Sequence, residues 1–150
     1  MISLADYLTE DRILIYSQPV DKARVLSELS EIISKTPAIT SKSLLQKEIL
    51  EREQIMSTGI GMGIGIPHIK SACADNMVMA AAVSKTPVQN YEALDGQPVH
   101  FVVMIAAPTD AHRLYLQGVA KVALNLKSEK KRLALLRAEN SGQIWEILVS

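Results

Sequence analysis

The sequence predicts an α/β sandwich folded as a single domain, and three observations carry that prediction. A chain of 150 residues buries roughly 68–70% of the surface it exposes when unfolded, so its core needs neither a disulfide nor a structural metal. Short apolar runs of strand character are interspersed with segments whose apolar residues recur at spacings of three and four. No long linker, internal repeat or low-complexity tract divides residues 1–150, so one domain is expected over the whole length.

The elements follow in chain order. Arg12 to Tyr16 is a short apolar run stopped by Ser17-Gln18-Pro19, the pattern of a strand. Asp21 can cap a helix over Lys22 to Lys35, where Val25, Leu26, Leu29, Ile32 and Ile33 form one apolar face. Thr40, Ser41 and Ser43 offer N-cap oxygens for a second helix through Leu44, Leu45, Ile49 and Leu50 towards Arg52, with Gln46 placed to complete a capping box with Ser43.

The segment from Ser57 to His68 is the most unusual in the chain, because Gly59, Gly61, Gly63 and Gly65 alternate with Ile60, Met62, Ile64 and Ile66. Read as one extended strand, the glycines share one face and the apolar side chains the other. The bare face then admits backbone or a bulky group at close range. Met77 to Val83 and Pro98 to Ala107 supply two further strands, separated by a segment in which Asp95-Gly96 signals a turn. The last third is helical: His112 to Lys127 carries an apolar face, Ser128 can cap a basic helix over Glu129 to Arg137, and Ser141 a short final one.

Charge and cysteine content exclude several classes of function. Sixteen basic and sixteen acidic side chains give a formal net charge of zero, unlike a protein that binds nucleic acid by neutralising many phosphates. The two halves differ little, with 8 basic and 10 acidic groups in residues 1–75 and 8 and 6 in residues 76–150. A single cysteine, Cys73, allows no internal disulfide, and no Cys or His cluster has zinc spacing. A reduced, cytoplasmic setting is the expectation, since Asp6, Glu10, Asp11 and Arg12 occupy positions where a signal peptide needs an apolar run. The longest apolar stretch, Val99 to Ala107, is about half of the ~20 residues that cross a bilayer and reads as a buried strand. No membrane insertion, cofactor or metal is expected.

The glycine run matches neither a dinucleotide fingerprint nor a phosphate loop, and no hydrolase motif is present. The chemistry falls to three histidines. His68 follows Ile66-Pro67, and proline fixes the approach of the chain, which suits an imidazole that must present one nitrogen in a set direction. It reads either as a turn histidine or as a nucleophile towards phosphorus. His112 reads as a locally bonded residue at a helix start or as a second imidazole holding a phosphoryl group, and His100 as a strand residue turned away from the core. Arg52 is either a solvated cation at a helix C-terminus or a fork for phosphate oxygens. Met56 and Met62 are expected to pack, and Lys127, Lys130, Lys131 and Arg132 to form a solvated helix face.

The run from Arg52-Glu53 through Ser57-Thr58-Gly-Ile-Gly to Ile66-Pro67-His68 resembles the active-site signature of enzyme IIA of the bacterial phosphotransferase system, in its fructose, mannitol and nitrogen-regulatory class. Ala93-Leu-Asp-Gly-Gln-Pro-Val99 and His112-x-x-x-Leu116-x-x-Val119-Ala-Lys121 resemble later landmarks of that family in the same order, so the likeness covers nearly the whole chain. The resemblance implies a mixed central sheet flanked by helices on both faces and a phosphohistidine relay. His68 would accept a phosphoryl group from the phosphocarrier HPr or a nitrogen-branch paralogue, with His112 and Arg52 stabilising it and Thr58 in the same motif. Downstream it implies either a separate IIB component, for sugar uptake, or regulated partner proteins, as in nitrogen-type members. Because donor and acceptor must reach the same nitrogen, an exposed apolar rim of Met62, Ile64 and Ile69 is expected to dock HPr.

Overall fold

Two extended apolar runs, β5 (Val78–Val88) and β6 (Val99–Ala107), form the antiparallel centre of a six-stranded sheet in the computed structural model, which describes residues 2–150. β1 (Ile13–Tyr16) pairs parallel with β5. The other edge of β6 is shared by β3 (Ile64–Gly65), opposite Phe101 and Val102, and β4 (His68–Lys70), opposite Ile105 to Ala107, both parallel to it. β2 (Gly59–Gly61) closes that side by pairing antiparallel with β3, so the sheet is mixed.

Alternation along β5 and β6 sends side chains to two cores, as a sheet covered on both faces requires. Val78, Ala80, Ala82, Val102, Met104 and Ala106 pack with α1 (Lys22–Ile33) and α2 (Lys42–Ile55). Met79, Ala81, Val83, Phe101, Val103 and Ile105 pack on the opposite face with α3 (His112–Leu126), α4 (Glu129–Arg137) and α5 (Ser141–Val149). The caps at Asp21 and Ser128 form as the sequence indicates.

Four expectations are corrected. Of the three candidate caps of α2, Ser41 serves, accepting from the Leu44 amide; Ser43 lies inside the helix, so the expected capping box with Gln46 does not form. Asn140, not Ser141, caps α5 through the Gln143 amide. The glycine segment is a hairpin and not one strand. Gly61 stands opposite Ile64, and the two residues between them, Met62 and Gly63, have φ of 57° and 79°, the signature of a primed two-residue turn. Met62 is thereby exposed, as is Met56 beyond the end of α2, so neither methionine packs as expected.

The bare glycine face does admit close neighbours. A Cβ on Gly65 would lie 2.6 Å from the Tyr91 ring, and one on Gly59 would strike the Glu92 carbonyl. The hairpin is thus clamped against the 91–95 segment, where the Asp95 carboxylate also accepts the Met62 amide at 2.9 Å.

Candidate functional site

Proline sets the position of His68. The Pro67 carbonyl accepts the Ile105 amide at 2.9 Å, after which β4 runs along β6. Alternation turns Ile69 towards the α1 and α2 core and His68 and Lys70 towards α3. His68 Nδ1 lies 2.5 Å from the Ile66 carbonyl oxygen, which can only accept, so Nδ1 carries the hydrogen. Its Nε2 therefore keeps the lone pair.

Tyr115 is the centre of the surrounding group. His112 opens α3 and Tyr115 follows one turn on, which places both on one helix face. The Tyr115 ring centroid lies 5.5 Å from that of His68 and 6.3 Å from that of His112. Lys70 Nζ sits 5.6 Å from the same centroid and donates to His112 Nδ1 at 2.7 Å. An ammonium has only donors, so His112 accepts at Nδ1 and carries its hydrogen on Nε2. His112 is exposed and His68 and Lys70 are half-buried, so the cluster lies at the surface.

Arg52 lies in the last turn of α2, where Nη1 donates to the Met56 carbonyl at 3.0 Å. Burial raises the Tyr115 phenol pKa, and the Arg52 charge acts on the same phenol in the opposite direction. The guanidinium therefore shares the electrostatic environment of the cluster. The first amides of α3 have no side-chain cap, so its positive end adds to the field around His112.

Thr58 occupies a different layer. It is buried, its hydroxyl donates to Glu53, and its amide donates to the same carboxylate at 3.3 Å. The Tyr91 hydroxyl, 2.6 Å away, then supplies the hydrogen that Thr58 Oγ1 accepts. Lys22 Nζ neutralises Glu53 at 2.7 Å and lies 4.5 Å from the centroid of the Tyr91 ring. Burial, followed by the Glu53 charge, raises the Tyr91 pKa and keeps that phenol protonated.

The chain as a whole has known relatives. The family model described as phosphoenolpyruvate-dependent sugar phosphotransferase system, EIIA 2, matches residues 6–150. The chain belongs to this EIIA family. It is 35% identical over 147 residues to the fructose-specific EIIABC component of Bacillus subtilis, covering 98% of this chain but only 23% of that protein. It is 28% identical to a nitrogen regulatory protein of Pseudomonas aeruginosa, across 99% of this chain and 96% of that one. The nitrogen regulatory protein IIA-Ntr from Neisseria meningitidis superposes with a TM-score of 0.85 at 23% identity, covering 97% and 98% of the two chains. The mannitol enzyme IIA of Escherichia coli, in its complex with phosphorylated enzyme IIB, superposes at 0.75 and 18% identity over 92% and 94%. These two structures share the mixed EIIA sheet and its helical layers.

In this EIIA chain His68 and His112 converge on Tyr115, and Arg52 acts electrostatically on it, whereas the hydrogen bonds of Thr58 run to Glu53, Tyr91 and the Ile66 amide. His100 is tied by Nδ1 to the Ser84 carbonyl at 2.9 Å. The expected rim is corrected: Ile64 is fully buried and Ile69 packs on the α1 and α2 core, which leaves Met62 exposed. Ile55 and Met56, following Arg52, and Leu94 are the more exposed apolar side chains. Sequence reasoning passed over Lys70, Tyr115 and Glu53. Each had a positional signal: Lys70 is two along the strand from His68, Tyr115 three along the helix from His112, and Glu53 continues the buried Leu45, Ile49 stripe of α2.

Proposed function

We propose that this EIIA chain is a phosphohistidine carrier that takes a phosphoryl group from HPr or a nitrogen-branch paralogue on His68 Nε2 and passes it to a IIB component. The observation that carries this reading is the Nδ1–H bond of His68 to the Ile66 carbonyl, which fixes the lone pair on Nε2. That lone pair forms the new N–P bond as the donor's N–P bond breaks and its electron pair returns to the donor nitrogen. No proton changes hands, because His68 keeps its hydrogen on Nδ1, where the Ile66 carbonyl stabilises the charge the ring acquires. Phosphoryl transfer asks mainly for alignment and for positive charge around the equatorial oxygens. Arg52, the Nε2–H of His112 and the uncapped start of α3 meet that demand. Thr58 serves as a positioning residue that ties the hairpin to α2 through Glu53.

Incubation with phosphoenolpyruvate, enzyme I and HPr, followed by intact-mass analysis, is expected to show one acid-labile phosphate on the native chain and none on His68→Ala. A phosphate that persists in His68→Ala excludes His68 as acceptor. Similarity along nearly the full length of a nitrogen regulatory protein supports a second reading, a regulatory EIIA whose phosphorylation state sets its binding to partner proteins. Addition of a fructose-type IIB separates the two: label discharged to IIB supports transport, and label retained supports regulation. Both readings place the chain in the cytoplasm, and no helix among the described residues is long and apolar enough to cross a membrane.

A further inference from the structure

Lys70 is the charged group of the cluster to which the relay assigns no task. We propose that Lys70 is a phosphoryl-binding residue whose ammonium contacts the oxygens of a phosphoryl group on His68 from the side of His112. The proposal rests on the reading of His68 as phosphoryl acceptor.

Strand geometry puts Lys70 on the same side of β4 as His68, two residues along. A lysine at an exposed edge ordinarily extends into water. Here its Nζ is held over the Tyr115 ring and bonded to His112 Nδ1, so the charge stays beside the ring that touches His68. Among the described residues Lys70 makes no ion pair with a carboxylate, so its charge is not neutralised within the chain. Its one hydrogen bond goes to a neutral imidazole, which leaves two of three N–H donors unused. An arriving phosphoryl group carries close to two negative charges and three acceptor oxygens. Lys70 from β4, His112 and Tyr115 from α3 and Arg52 from α2 are gathered here, and the carboxylate that α2 brings to this end of β4, Glu48, accepts from the Ser71 hydroxyl and forms no ion pair with Lys70. Arg52 comes from α2 and Lys70 from β4, so the two cations related to Tyr115 are supplied by different elements.

The test uses the full chain phosphorylated by phosphoenolpyruvate, enzyme I and HPr, as native protein, Lys70→Met and Lys70→Arg, with His68→Ala as the acceptor control. A pH titration followed by phosphorus NMR reads the phosphoryl group itself, because a cation in contact favours its dianion and removal of that cation raises the midpoint. Lys70→Met is expected to label at His68 at least about fivefold more slowly and to show a midpoint raised by about half a pH unit or more, with both effects reversed in Lys70→Arg. An unmoved midpoint in Lys70→Met overturns the proposal even where labelling slows, since that combination is the mark of a charge used only in donor docking. If Lys70→Met takes no label, recovery in Lys70→Arg supports the need for a cation, and failure of both folded variants overturns it. No label on the native chain overturns the His68 reading and this proposal with it.

Discussion

Tyr115 meets both histidines at tilted ring contacts and lies under the Lys70 ammonium, while its hydroxyl forms no hydrogen bond within the described chain. The ring therefore acts as a spacer that limits the rotamers of three functional side chains, and positioning errors of an ångström carry large kinetic consequences. Tyr115→Phe keeps the ring and is expected to slow phosphate incorporation no more than a few-fold, whereas Tyr115→Ala is expected to slow it at least tenfold. Rates of label uptake, with circular dichroism to confirm folding, check the order, and equal losses in the two variants contradict it. At this scale the sequence was partly legible. His68 stands out because Ile-Pro-His follows a glycine run, and His112 because it opens a helix of matching periodicity. Lys70 and Tyr115 did not, because the significance of an i+2 strand neighbour or an i+3 helix neighbour depends on which faces meet in space.

The hairpin is the element that the sequence concealed. Alternating glycine and apolar residues have the same period whether the chain continues or folds back, and Met62-Gly63 lacks the Asn-Gly or Asp-Gly pair that announces a primed turn. Tertiary ties enforce the turn instead: the Met62 amide bonds Asp95, and the Phe101 and His100 amides both donate to the Gly63 carbonyl. Met62 is left with φ of 57°, a region that costs a non-glycine residue about 1–2 kcal/mol, although asparagine tolerates it. Because the Met62 side chain is exposed, little packing is lost on replacement. Met62→Asn is therefore expected to stabilise the fold by about 0.5–1 kcal/mol, read as a raised denaturant midpoint at unchanged slope. A lowered midpoint would show that the methionine contributes contacts that outweigh its backbone strain. By contrast, β1, β5, β6 and the five helices were legible from periodicity, because each helix presents an apolar face to one core while the strands are apolar towards both.

On the scale of the whole molecule, one buried polar group joins parts of the chain that are far apart in sequence. Glu53 is buried because it lies one turn beyond Ile49 on the face of α2 that covers the sheet. A carboxylate there is tolerable only when its lone pairs are met, and Lys22 of α1 and both donors of Thr58 meet them. Tyr91, which donates to Thr58 and fills the space over Gly65, extends the link to the segment between β5 and β6. The network thereby fixes the distance between the end of α2, which carries Arg52, and the hairpin that leads to His68. Removing one side of it leaves the other charge buried and unpaired, so Glu53→Ala is expected to cost about 3–5 kcal/mol. Lys22→Met alone is expected to cost less, since Glu53 then keeps both donors of Thr58, whereas Glu53→Ala leaves those donors and the Lys22 ammonium without that acceptor. The double variant is expected to be markedly less destabilised than the sum of the singles, because each group's burial is unfavourable chiefly in the absence of the other. Urea unfolding at low and high salt checks both points: a buried pair keeps its coupling in 1 M salt, where the exposed Arg24–Glu28 pair is screened. Additive losses, or coupling abolished by salt, would mean that the network behaves as a surface ion pair and does not hold the two halves of the site in register.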